Sequence, residues 1–84
     1  MNGIHCKLNE ILEELDLSFY RIALDSGIRK STISDLVNNR MKGIRMSTLY
    51  ELIHTLNQLA AEKGIDKKYD VGDLFHYYEE EIDS

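Results

Sequence analysis

The sequence predicts an all-α fold of five helices. Apolar residues recur at the 3.6-residue helical period in five separate segments. No segment alternates apolar and polar residues as a half-buried strand would. Proline is absent, so glycines and capping side chains must divide one helix from the next. With 84 residues, 43% of them apolar, the chain suits a single domain, residues 1–84, that buries only about 60–65% of its unfolded surface.

Leu8, Ile11, Leu12 and Leu15 mark helix 1, of about ten residues, whose start could lie as early as Ile4. "LDLS" ends it, and Ser18 is placed to cap helix 2, which runs from Phe19 to about Asp25 with Ile22 and Ala23 inward. Ser26-Gly27 stops helix 2, since Gly27 takes a positive φ at no steric cost. Helix 3 runs from about Lys30 to Asn38 with Ile33, Leu36 and Val37 as its buried stripe. "NNRMKGIRM" has no period and reads as a loop. Ser47 is the expected cap of helix 4, which carries Leu49, Leu52, Ile53, Leu56 and Leu59 as far as Glu62; Gly64 ends it. Val71, Leu74, Phe75, Tyr78 and Ile82 fall on one face of helix 5, with Asp70 as its cap.

Composition excludes several classes. One cysteine, Cys6, allows no disulfide within the chain and suits a reducing compartment. No apolar run approaches the ~18 residues of a membrane span, and "MNGIHCKLNE" has no signal-peptide core. A soluble, cytoplasmic protein without a membrane partner is expected. No phosphate-binding loop, nucleophile elbow or H-E-x-x-H pair occurs, so no enzyme and no catalytic residue is expected. His5, His54 and His76 are far apart, and Cys6 beside His5 is not a zinc spacing, so neither metal nor cofactor is expected. Cys6 reads as a small apolar residue. The C-terminal "HYYEEEIDS" reads as a solvated helix end, with Tyr77 off the core stripe.

The net charge of −5 is unevenly spread. Met1–Leu17 carries −3, Ser18–Tyr50 carries +4 and Glu51–Ser84 carries −6. A basic band between acidic flanks is a better pointer to a polyanionic partner than the total.

Helices 2 and 3, joined by a short turn with a glycine, form the helix-turn-helix pattern over about 18–38. With the core direction set by Ile33, Leu36 and Val37, the positions Ser31, Asp35 and Asn38 point away from it, flanked by Lys30, Thr32 and Ser34. This outer face is slim, rich in donors and acceptors, and cationic at its start. Such a face can enter the major groove and read base edges.

"LSFYRIALDSGIRKSTISDLVNNR", followed by "STLYELIHTLN" and "DVGDLF", resembles the lambda-repressor and Cro type of helix-turn-helix, the XRE family, and within it the small stand-alone members of Gram-positive bacteria and phages. The resemblance runs from about Leu8 to Phe75 and rests on Ala23 with Gly27, Ser31-Thr32-Ile33-Ser34, Asn38, and Leu49 with Leu56. It implies a five-helix lambda-repressor-like DNA-binding domain, and a transcription regulator, commonly a repressor, acting as a homodimer on double-stranded DNA. Carried onto this chain, it places Lys30, Ser31, Thr32 and Asp35 at base-contacting positions. Ser18, Arg29, Asn38, Arg40, Lys42 and Arg45 fall at phosphate-contacting ones. The chain departs from the family pattern with Phe19 in place of the usual Gln, Arg29 in place of a Ser or Thr cap, and Asn39 in place of glycine. The alternative on the same fold is a protein-interaction module, an antitoxin-like or anti-regulator subunit, which the acidic total and Phe19 favour.

Overall fold

A computed structural model describes residues 3–79. The elements in chain order are β1 (Gly3–Cys6), α1 (Leu8–Leu15), α2 (Phe19–Ser26), α3 (Lys30–Val37), α4 (Met46–Glu62), α5 (Val71–Leu74) and β2 (Phe75–Tyr78).

Several helix boundaries have a local cause. Asp16 takes a left-handed conformation (φ 54°) and ends α1. The Ser18 hydroxyl accepts the Arg21 N–H at 3.1 Å and caps α2 as expected. Gly27, at φ 74°, ends α2, and its N–H donates to the Ala23 carbonyl. α4 begins at Met46, two residues earlier than a Ser47 cap predicts. Its N-cap is Arg45, which makes no side-chain capping bond. Asp70 caps α5, and Asp73 answers by accepting the Asp70 N–H, completing a capping box.

The core is one cluster. Leu8, Leu15, Ile22, Ile33, Leu36, Leu52, Leu56 and Leu74 are all buried within it. Leu49 and Val37 are half-buried and pack against its edge. The loop after α4 is held by a reciprocal pair of bonds: the Tyr69 N–H donates to Asn57 Oδ1 at 2.6 Å, and Asn57 Nδ2 donates to the Tyr69 carbonyl at 3.0 Å.

The all-α expectation is corrected at the two ends of the chain. β1 and β2 pair antiparallel, with Cys6 opposite Phe75 and Ile4 opposite Tyr77. Helix 1 therefore cannot start at Ile4. Helix 5 is a single turn, because Phe75 leaves helical geometry (φ −121°, ψ 129°) and starts the strand. Ile82, expected on helix 5, lies outside the described residues. Cys6 and Phe75 anchor the sheet to the core, and the Lys7 N–H donates to the Leu74 carbonyl at 2.7 Å, tying the two ends together. Burial of Cys6 raises its thiol pKa, consistent with a packed apolar role.

Candidate nucleic-acid interface

The geometry of α2 and α3 is fixed by a short turn and an apolar contact. Ser26 Oγ donates to the Ile22 carbonyl at 2.6 Å and accepts the Ile28 N–H at 3.2 Å. That double use of one hydroxyl closes the turn between the helices. Ile22 and Ala23 of α2 and Ile33 and Leu36 of α3 are buried beneath it, so α3 is held by its inner side alone.

Its outer side is open. Lys30, Ser31 and Asn38 are exposed; Thr32, Ser34 and Asp35 are half-buried. Three groupings of the expected site residues emerge. Arg29 and Thr32, at the start of α3, share a polar groove with Arg45, Ser47 and Thr48, at the start of α4. Neither Arg29 nor Arg45 caps its helix with its side chain, so both helix starts keep free N–H groups beside two guanidinium groups. Free N–H groups and arginines favour an anion there, while Glu51, which also lines the groove, opposes one. In the second grouping, Arg40 folds back on α3, with Nε 3.4 Å from Asp35 Oδ1 and Nη2 3.5 Å from Ser34 Oγ. Asp35 is thus offset within the chain. In the third, the Lys30 ammonium lies 4.8 Å from the centroid of the Tyr20 ring.

Three expected phosphate contacts stand apart. Ser18 sits at the start of α2 beside Arg21 and Lys63. Its oxygen is used in the cap, which leaves its hydroxyl proton free to donate. Lys42 lies on the loop, at the rim of an apolar hollow. Asn38, exposed, turns back along its own helix, donating from Nδ2 to the Ser34 carbonyl at 2.8 Å.

The bases of the middle segment divide by partner. Arg21 is held by Asp25 at 2.9 Å and Glu62 at 3.0 Å, and the hydrogen bond to Asp25 raises its pKa. Among the described residues, Arg29, Lys30, Lys42 and Arg45 have no carboxylate at ion-pair distance. These four are the cations of the middle segment left for an outside anion, and all four are expected site residues.

One residue of the site, Tyr20, and one contact, that of Asn39, were not read from the sequence. Tyr20 falls off the Ile22–Ala23 stripe, and that offset was the available signal for its exposure beside Lys30. Asn39 takes φ 57°, and its Oδ1 accepts the Cys6 N–H at 2.6 Å. It couples the end of the α3 segment to β1; no sequence pattern pairs residues so far apart.

Among the described residues no three metal-ligating side chains converge, and no helix is long and apolar enough to cross a membrane. A family model for the Cro/C1-type HTH DNA-binding domain matches residues 7–58, more than half of the chain. No curated protein and no solved structure matches it.

Proposed function

The chain belongs to the Cro/C1-type helix-turn-helix DNA-binding family, and from that premise we propose that it is a sequence-specific transcription regulator, a repressor, that reads the major groove with α3. The observation that carries this reading is the set of cations around the start of α3 that have no carboxylate partner among the described residues. Lys30 and Ser31 are exposed where side chains reach base edges, and Arg29 and Arg45 flank two uncapped helix starts. Phosphate contacts from Ser18, Arg29, Lys42 and Arg45 fix the register. Thr32 lines the groove between the two roles. Arg40 reaches phosphate only by leaving Asp35.

One short helix reads about half of a typical operator, so the protein acts as a homodimer on half-sites about 34 Å apart. It does so in the cytoplasm, without a cofactor and without catalysis. Footprinting on fragments that include the protein's own upstream region tests this. Protection of two half-sites one helical turn apart supports the reading, and protection of a single half-site with one chain bound overturns its dimeric part.

A second reading has its own observation. α2 leaves Phe19, Tyr20 and Leu24 exposed, an apolar run suited to a protein partner. An interaction module on this fold would bind duplex DNA weakly and without preference between sequences.

A further inference from the structure

We infer that Tyr20 is a positioning residue for base reading: its ring holds the Lys30 ammonium in one place, and that fixed cation sets the preference between sequences. This rests on the reading of α3 above and deepens it. Lysine is a poor reader when free. Its charge is a compact point on a flexible four-carbon stem, so an untethered ammonium meets whichever phosphate is nearest. The start of α3 makes this worse. Lys30 is the first residue of the helix, where the dipole and the neighbouring Arg29 both repel a cation. Among the described residues no carboxylate lies at ion-pair distance from it. The Tyr20 ring, with its centroid 4.8 Å from the ammonium, attracts it instead.

The ring can do this because its own place is fixed. Tyr20 is the second residue of α2, one position after the first turn is pinned by the Ser18 cap. Ile22 and Ala23 are buried beneath it, and Ser26 closes the turn into α3. The nearest competing cation in sequence, Arg21, is held by Asp25 and Glu62 and leaves the ring to Lys30. Tyr20 is 59% exposed, so removing its ring opens no cavity in the core. Its consequence is for Lys30. A lysine donates to guanine O6 and N7 in the major groove only if its ammonium is aimed there. The ring restricts the ammonium to the side of α3 that faces α2, so it serves one base position. A lysine released from the ring still offers its charge to phosphate. Loss of Tyr20 therefore lowers discrimination and leaves binding to random duplex as strong as before.

The test has an arm without DNA and an arm with it. In the free full-length chain, the Lys30 ε-methylene protons are expected to show an upfield ring-current shift by NMR. Tyr20→Phe is expected to keep that shift and Tyr20→Leu to lose it. Binding is then measured by fluorescence anisotropy on a duplex that the wild type enriches from a random pool, and on unselected duplex. Tyr20→Leu is expected to lower the affinity ratio between the two by about 2–5-fold, the worth of an exposed cation–ring contact. Tyr20→Phe restores the ring without the hydroxyl and is expected to restore the ratio. In a Lys30→Ala chain, Tyr20→Leu is expected to lower the ratio no further. An unchanged ratio in Tyr20→Leu overturns the inference. So does a Tyr20→Phe chain that loses as much as Tyr20→Leu, which would give the role to the hydroxyl, or a loss that persists in the Lys30→Ala chain. A wild type that enriches no duplex overturns the DNA reading together with this inference; a wild type that enriches one, with Tyr20→Leu discriminating equally well, overturns this inference alone.

Discussion

Asp35 carries a negative charge on the face expected to meet DNA. Its carboxylate lies 3.4 Å from Arg40, with both side chains substantially exposed, so the pair contributes little to stability. Its consequence is for binding. While Arg40 holds Asp35, it is withheld from phosphate, and the acid repels the backbone. Asp35→Ala is expected to strengthen binding to every duplex by a similar factor, read by fluorescence anisotropy on operator and random DNA. Relaxed preference at one base pair, without a general gain, would show instead that Asp35 accepts a hydrogen bond from a cytosine N4. The sequence presents this residue with both possibilities open, because which base it pairs with depends on the path of the loop after Asn39. Of Ser31, Asp35 and Asn38, which periodicity points away from the core, Ser31 and Asn38 are exposed and Asp35 is half-buried. The stacking of Lys30 on Tyr20 was not legible, since it depends on the angle between two helices.

At the scale of elements, helix ends were legible where a side chain or a left-handed residue makes them. Ser18, Gly27 and Asp70 each end or start a helix by a mechanism visible in the residue type. The start of α4 was not, because Arg45 makes no side-chain capping bond and Ser47 offered a false signal one residue into the helix. The sheet was missed for a different reason. Val71, Leu74, Phe75 and Tyr78 satisfy helical spacing, yet the partner strand of Phe75–Tyr78 lies at the opposite end of the chain. Strand pairing is decided by that distant contact, and the run of aromatic residues was its one local hint. The inner face of α3 was read correctly. Leu36 is buried against the core, so Leu36→Ala is expected to cost about 2–5 kcal/mol in denaturant unfolding. A loss near zero would mean that the opposite face of α3 packs inward, and the reading helix would be wrongly oriented.

For the whole molecule, the charge pattern and the fold address one another. The total is acidic, but four of the cations that have no carboxylate partner among the described residues, Arg29, Lys30, Lys42 and Arg45, lie on α3, the loop after it and the start of α4. Acidic flanks keep non-specific attraction weak, which favours discrimination over raw affinity. Two of these cations are expected to do different things, and one titration series separates them. Affinity is measured against salt for wild type, Arg45→Ala and Lys30→Ala, on the operator and on random duplex. Wild type is expected to bind the operator at least ~10³-fold more tightly than random DNA. Arg45→Ala is expected to weaken both alike and to lower the salt slope by about one. Lys30→Ala is expected to cost ~1–3 kcal/mol on the operator and much less on random DNA. Equal affinity of wild type for both duplexes, with neither substitution changing it, would contradict DNA reading by α3.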